Sequence, residues 1–352
     1  MTDRLPPGSV IGILGGGQLG RMLALAAARL GLACHIYDPD ADAPAKQVTS
    51  RATTARYDDD AALSAFAAAV DVVTYEFENI PTAALDLIET LREVHPNRRA
   101  LATSQDRLTE KTFLNGLGLA TAPFADIPDE DALVRAIAEI GTPAILKTRT
   151  LGYDGKGQVR IADAAGASRA SLGDAPAILE GRVAFEREIS VIGARGRDGS
   201  VACFDPGENV HEGGILHTTT VPAAITAAQR TDAVLLTARI LTELDYVGVM
   251  GVELFVTERG LVVNEIAPRV HNSGHWTQDG CAIDQFEQHI RAVAGWPLGD
   301  GARHSDVTME NLIGDDILRL PEIAASGAAI HLYGKAESRP GRKMGHVNRI
   351  AR

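Results

Sequence analysis

Two apolar runs, residues 247–256 and 261–263, are separated only by Thr257-Glu258-Arg259-Gly260, a spacing that calls for a tight β-hairpin. With Glu258-Arg259-Gly260 as a three-residue loop and Gly260 left-handed, Thr257 pairs with Leu261. Counting back in that register sets Glu253 opposite Glu265. Two carboxylates facing each other across a sheet repel, so a cation is expected between them. Mg²⁺ suits the place, because it is usually held by one or two carboxylates together with substrate phosphates. The competing reading is a salt-bridged surface hairpin with one glutamate turned outward. Asn264 falls on the other face in this register, so a metal role for it needs a local twist.

The hairpin leads directly into Asn264-Glu265-Ile266-Ala267-Pro268-Arg269-Val270-His271-Asn272-Ser273-Gly274-His275-Trp276. Amides, a carboxylate, a guanidinium, two imidazoles and a hydroxyl crowd together there, with Pro268 and Gly274 fixing the backbone. So many polar groups in one stretch mark it as the chemical centre of the chain.

Composition narrows the function. A net charge of -12 argues against a nucleic-acid partner, which needs a basic face, so anionic substrates must be met by local clusters. No apolar run is long enough to span a bilayer, and the N-terminus lacks the basic and apolar segments of a signal peptide. Cys34, Cys203 and Cys281 are far apart and show no metal spacing, which suits reduced thiols in a cytoplasm. At 352 residues the chain has room for two or three domains.

The first domain reads as doubly wound α/β. Val10-Ile11-Gly12-Ile13-Leu14 is a buried parallel strand feeding Gly15-Gly16-Gly17-Gln18-Leu19-Gly20 and a helix, and a second strand, 33–37, closes on Asp38. Gly15, Gly17 and Gly20 meet the G-x-G-x-x-G spacing, and Asp38 lies where a ribose-binding acid would stand. By itself this pattern says NAD-dependent oxidoreductase; any strand-to-helix turn near a phosphate selects the same glycines. Glu76 and Glu78 follow another strand, where open α/β sheets bind ligands, although they could instead cap the helix after Pro81.

Downstream, a helix opens at Gln105-Asp106-Arg107, and the strand 144–147 ends on Lys147, which is placed to reach a phosphate or simply to be solvated. Gly152-Tyr153-Asp154-Gly155-Lys156-Gly157-Gln158 is a glycine-rich loop of the kind that closes amides over phosphates. It is not a Walker A sequence. The strand 177–180 ends in Glu180, suited to an adenine amino group or a ribose, and His211 lies in a glycine-containing stretch, where an exposed loop imidazole is the alternative. Near the end, 331–347 is basic and holds Lys335, Arg342 and Lys343: an anion site on a small third domain, or a solvated tail.

The quoted glycine turn with Arg21 and Met22, the lid loop, the stretch 264–277 and Tyr333-Gly334-Lys335 together resemble the N5-carboxyaminoimidazole ribonucleotide synthetases of purine biosynthesis, members of the ATP-grasp superfamily, over nearly the whole chain. The resemblance implies an α/β, three-domain ATP-grasp architecture. Residues 1–104 would be a Rossmann-like pre-grasp domain without NAD, 105–297 the ATP-grasp domain and 298–352 a small β-rich domain. It implies ATP held by Arg107, Lys147, Gly152, Tyr153, Asp154, Gly155, Lys156, Gly157, Gln158, Glu180, Gly181, Arg182, Val183, Glu188, His211, Asn264 and Glu265. Mg²⁺, or alternatively Mn²⁺, would sit on Glu253 and Glu265.

The same resemblance assigns the aminoimidazole ribonucleotide and bicarbonate to Gln18, Leu19, Glu76, Tyr153, Arg269, His271, Asn272, Ser273, Lys335 and Arg342. Asp154, Arg269 and Lys335 are the catalytic candidates. No biotin, nucleic acid or membrane enters, and a cytoplasmic homodimer is expected. Three other readings stay open: a formate-dependent glycinamide ribonucleotide transformylase, a nicotinamide oxidoreductase, and a non-catalytic nucleotide-binding module.

Overall fold

The computed structural model describes residues 4–152, 157–163, 166, 173 and 175–351. Because Val10-Ile11-Gly12-Ile13-Leu14 has no polar face to give to water, it pairs on both sides. The strands β1 (Val10–Leu14), β2 (Ala33–Tyr37), β3 (Arg51–Thr53) and β4 (Val72–Tyr75) form a parallel sheet in the order β3-β2-β1-β4. The helix Gln18–Arg29 starts at the glycine turn and buries Leu19, Met22, Leu23, Ala26 and Ala27.

Strands β5 (Phe124–Ile127), β6 (Ala144–Thr148), β7 (Gln158–Ile161) and β8 (Ala177–Gly181) make a second, antiparallel sheet ordered β5-β8-β6-β7. Its cover is the helix Glu130–Ile140, capped by the Asp129 side chain on the Ala132 N–H. Leu133, Ala136 and Ile137 of that helix share one core with Leu146, Ile161 and Leu179.

The third sheet is the largest. It contains β9 (Arg187–Arg195), β10 (Val201–Cys203), β11 (Gly207–Glu212), β12 (Ile215–Val221), β13 (Gly248–Thr257), β14 (Gly260–Ala267), β15 (Val307–Ile313), β16 (Ala329–Leu332) and β17 (Lys343–Ile350). Their order is β14-β13-β9-β11-β12-β15-β17-β16, with β10 paired to β9. The β12–β15 ladder carries the sheet without a break from the ATP-grasp region into the C-terminal strands, so the last fifty residues lie beside the site rather than trailing away from it. Along the other side runs the helix Ala227–Glu243, opened by a capping box of Thr226 and Gln229. Among the described residues no helix is long and apolar enough to cross a membrane.

A single imidazole joins the first sheet to the third. His289 meets Thr74 of β4 through Nε2 at 2.7 Å and accepts the Val249 N–H of β13 through Nδ1 at 3.0 Å. Burial, then the nearby His95, pulls its pKa down to about 3. A base whose folded value lies below its unfolded one gives stability that is complete above the unfolded value and lost as pH falls toward the folded one. The destabilisation caused by His289→Gln is therefore expected to be largest at pH 7 and to shrink by about 2 kcal/mol by pH 5, measured as the difference from wild type in urea unfolding. A difference that stays constant with pH would contradict this.

Candidate active site

The glycine turn after β1 has its amides already committed. Gly17 N–H donates to Glu76 Oε1 at 2.7 Å and Gly20 N–H to Glu76 Oε2 at 3.2 Å, while Gly16 N–H donates to Asp38 Oδ2 at 2.6 Å. Glycine is required for this approach. A Cβ on Gly15, whose φ is +97°, would stand 2.6 Å from Glu76 Cγ, and one on Gly17 would stand 2.6 Å from Oε1. The donors that a dinucleotide pyrophosphate would need thus serve two carboxylates of the chain itself. Glu76 is buried, which raises its pKa, against the pull of the Gly17 and Gly20 amides. Neither Glu76 nor Glu78 caps the helix Thr82–Glu89, whose N-cap, Pro81, has no side-chain bond.

At the hairpin, Glu253 and Glu265 are cross-strand partners, but the route to that pairing differs from the expected one. Thr257 pairs with Gly260, not Leu261, so the loop is one residue shorter, and a β-bulge between Glu253 and Leu254 takes up Asn264 and restores Glu253 opposite Glu265. The bulge also supplies the twist that Asn264 needed, since its Nδ2 donates to Glu253 Oε2 at 3.2 Å. β14 runs on past Val263 to Ala267, so both side chains stand on a strand rather than a loop.

The two carboxyl groups are tuned apart. Burial, then the Glu265 charge, pushes Glu253 up to about 7, against His211 and the Asn264 amide. Burial acts upward on Glu265 as well, but Arg107, Lys147 and Lys111 outweigh it and hold that carboxylate below its ordinary range. Arg107 Nη1 reaches Glu265 Oε2 at 3.3 Å and Nη2 donates to the Gly152 carbonyl at 3.1 Å. His271 Nε2 lies 3.6 Å from Glu253 Oε1. On the neighbouring strands Glu188 pairs with His211, which stands in β11 and not in a loop. This imidazole's pKa is raised: burial lowers it, but the Glu188 bond and the charges of Glu253, Glu188 and Glu265 prevail.

Two carboxylates and an amide oxygen are hard donors that fit a Mg²⁺ ion. Among the described residues no group of three or more His, Cys, Asp or Glu converges, which leaves the remaining coordination positions to water and phosphate oxygens.

Lys147 is not solvated. Its Nζ bonds Glu180 Oε2 at 2.9 Å, and Lys111 Nζ approaches the same oxygen at 3.4 Å. Burial would raise the Glu180 pKa, but Lys147, Lys111 and Arg107 win and lower it. Among the described residues its other oxygen, Oε1, is buried without a hydrogen-bond partner and can accept from a ligand. Gly181, Arg182 and Val183 form the connector that leaves β8, where Gly181 N–H bonds the Pro123 carbonyl and Arg182 N–H the Pro143 carbonyl.

Glu110 and Lys111 are buried residues that the sequence reading passed over. On the helix Arg107–Gly116 the positions 107, 110, 111 and 114 share one face, so charges at i, i+3 and i+4 in line with buried Leu114 were the available signal. Burial, then Glu265, pushes the Glu110 carboxyl up to about 8.

Arg269 lies just beyond β14. Its Nε is paired with Glu78 and its Nη1 donates to the Val270 carbonyl at 3.1 Å. It lines a cleft of about 520 Å³ together with Glu78, Arg107, Glu110, Arg149, Gly152 and Glu265. Beside it His271 Nδ1 meets Ser273 Oγ at 2.8 Å, which also accepts from Ser190 Oγ at 2.7 Å, and both amide atoms of Asn272 are buried with no hydrogen-bond partner among the described residues.

The C-terminal strands approach the glycine turn. Gln47 Nε2 donates to the Gly334 carbonyl at 2.8 Å while Arg21 Nη1 holds Gln47 Oε1 at 2.9 Å. Lys335 Nζ donates to the Lys343 carbonyl at 2.7 Å and lies 5.6 Å from the Tyr333 ring centre. Arg342 Nη1 bonds the Glu337 carbonyl. Gln18 opens its helix, whereas the Leu19 side chain is in the core with Met22 and Leu23, leaving only its main chain for a substrate. Of the lid, Gly152, Gly157 and Gln158 are described; Tyr153, Asp154, Gly155 and Lys156 lie outside the described residues.

Family models match in chain order: a ribonucleotide synthetase preATP-grasp domain over residues 9–105, an ATP-grasp domain over 112–286 and a phosphoribosylaminoimidazole carboxylase C-terminal domain over 308–352. An N5-carboxyaminoimidazole ribonucleotide synthase from Brucella melitensis is 57% identical over 352 residues, covering 98% of this chain and 97% of that relative. The chain belongs to the N5-carboxyaminoimidazole ribonucleotide synthase family. Another synthase, from Pseudomonas aeruginosa, is 44% identical and covers 96% of this chain and 93% of its own length. A crystal structure of an ADP complex of a family synthetase superposes with a TM-score of 0.97 at 42% identity, covering 100% of this chain and 94% of that one. The Aspergillus clavatus synthase, solved with ADP and 5-aminoimidazole ribonucleotide, gives 0.92 at 32% identity over 98% and 94%. The three-part α/β ATP-grasp plan is that of the synthase family.

Proposed function

We propose that the chain is an ADP-forming ligase that carboxylates the exocyclic amine of 5-aminoimidazole ribonucleotide, using ATP and bicarbonate, to N5-carboxyaminoimidazole ribonucleotide in purine biosynthesis. The observation that supports the reading is the bulged Glu253–Glu265 pair, of which Glu265 bonds Arg107 and lines the same cleft as Arg269.

Glu253 and Glu265 would hold Mg²⁺, which would supply charge neutralisation at the transferring phosphoryl oxygens. Lys147 and Arg107 add fixed positive charge, and the unpartnered Glu180 Oε1 is suited to an adenine amino group. Glu78 holds one edge of the Arg269 guanidinium and leaves the other to grip bicarbonate, whose planar anion matches it. A bicarbonate oxygen attacks the γ-phosphorus, the bond to ADP breaks, and carboxyphosphate forms. This breaks down to CO₂ and phosphate; the amine nitrogen then forms its bond to the carbon and loses a proton. That amine is a poor nucleophile, so its placement matters. Gln18, Leu19, Glu76, His271, Asn272, Ser273 and Arg342 would surround it, with Asp154 and Lys335 as the proton-handling candidates and Tyr153 from the lid.

The proposed division is 1–104 for the pre-grasp domain, 105–297 for the ATP-grasp domain and 298–352 for the C-terminal strands, in a cytoplasmic homodimer. A formate-dependent glycinamide ribonucleotide transformylase is the nearest rival. Phosphate release measured with bicarbonate and aminoimidazole ribonucleotide, against formate and glycinamide ribonucleotide, separates the two. Turnover only with the second pair, or tight NADH binding in calorimetry with none of Mg-ATP, would overturn the proposal.

A further inference from the structure

β14 is the edge strand of the large sheet, and its outer side has to be satisfied by something other than a strand. Up to the bulge the chain does this with backbone: Val263 N–H donates to the Ala120 carbonyl at 2.8 Å. Beyond the bulge the donors and acceptors are side chains. Glu110 Oε1 accepts the Ile266 N–H at 2.6 Å, and Lys111 Nζ donates to the Asn264 carbonyl at 3.3 Å. Both side chains come from one turn of the helix Arg107–Gly116, both are almost wholly buried, and the two peptide groups they hold flank Glu265.

We propose that Glu110 and Lys111 are positioning residues, a two-point clamp that fixes the backbone on either side of Glu265 and so aims its carboxylate at the metal-nucleotide. The inference rests on the reading of Glu253 and Glu265 as metal ligands. A bulge relaxes strand register, and an edge strand is restrained by a strand neighbour on one side only, here β13. Without the clamp the Glu265 peptide can rotate, moving the carboxylate out of line with Glu253. The same Lys111 ammonium touches Glu180, so one side chain ties the metal strand to the carboxylate at the end of β8. Burying a carboxyl and an ammonium is costly unless their hydrogen bonds are matched, and here each has a backbone partner beside the reacting centre.

The test compares Glu110→Met, which cannot accept the Ile266 N–H, with Glu110→Gln, which can. Two readouts apply to folded protein with ADP: the exchange rate of the Ile266 amide hydrogen, and Mn²⁺ affinity from electron paramagnetic resonance. The expected result is faster Ile266 exchange and Mn²⁺ binding weaker by about 10-fold or more in Glu110→Met, with Glu110→Gln restoring both toward wild type. Lys111→Met is expected to weaken Mn²⁺ similarly and gives a second determination should Glu110→Met not fold. Unchanged Ile266 exchange and Mn²⁺ affinity in the methionine variants, or equal losses in Glu110→Gln and Glu110→Met, would overturn the clamp. Glu265→Gln is the control on the underlying reading: if it binds Mn²⁺ with ADP as wild type does, the metal assignment fails and the clamp with it. If only Glu265→Gln loses Mn²⁺, the clamp alone fails.

Discussion

Replacing Glu265 by glutamine is expected to reduce ATP cleavage by at least about 10²-fold, because on the proposed reading it removes one of the two carboxylates that would hold the divalent ion against the transferring phosphoryl group. The side chain keeps its shape and keeps an oxygen for Arg107 Nη1, so the fold should survive. On the proposed reading, what is lost is the negative charge that, with Glu253, would draw in a divalent ion. Glu265 is the carboxylate that Arg107, Lys147 and Lys111 hold ionised against the pull of burial, so its charge is the one the substitution removes. ADP release under saturating ATP, bicarbonate and ribonucleotide is the measurement, with circular dichroism as the control. A rate near wild type would remove Glu265 from the chemistry.

Lys335→Ala is expected to separate the two halves of the reaction. Lys335 stands on the turn after β16, across from the glycine turn, and its ammonium is fixed by the Lys343 carbonyl and the Tyr333 ring. The proposed reading assigns that side of the site to the ribonucleotide. Formation of the carboxylated product should fall on the order of 10²-fold while some ATP cleavage persists, measured as the ratio of product to ADP. As a clamp on the ribonucleotide phosphate together with Arg342, Lys335 would act through substrate KM; as a proton acceptor it would act through kcat. Equal losses of ribonucleotide-free and ribonucleotide-stimulated ATP cleavage would contradict the division.

The parts of this fold that were legible are those dictated by local pattern. The run Val10-Ile11-Gly12-Ile13-Leu14 before a glycine turn could only be a buried strand, and the hairpin spacing brought Glu253 and Glu265 together. The hairpin also shows why such readings are limited. The loop is one residue shorter than the spacing suggested, and Asn264 bulges out to compensate, because placing both carboxylates on one side of the strand matters more than a regular ladder. Glu110 and Lys111 were harder to read for another reason. A charged residue on a helix is ordinarily solvated; their place on the Leu114 face was a signal, but the packing of that helix against an open strand edge is what shows that both are buried. The glycine turn was legible as a turn, but the occupants of its amides, Asp38 and Glu76, come from 22 and from 59 and 56 residues away and could not be read locally.

The account stands or falls on the metal-nucleotide held by the bulged hairpin. Crystals soaked with Mn²⁺ and ADP, recorded at a wavelength where manganese scatters anomalously, test it most directly. The account predicts a peak within about 2.0–2.3 Å of carboxylate oxygens from both Glu253 and Glu265, in contact with the nucleotide phosphates. A nucleotide bound with manganese elsewhere, and these two side chains turned away from it, would contradict the account.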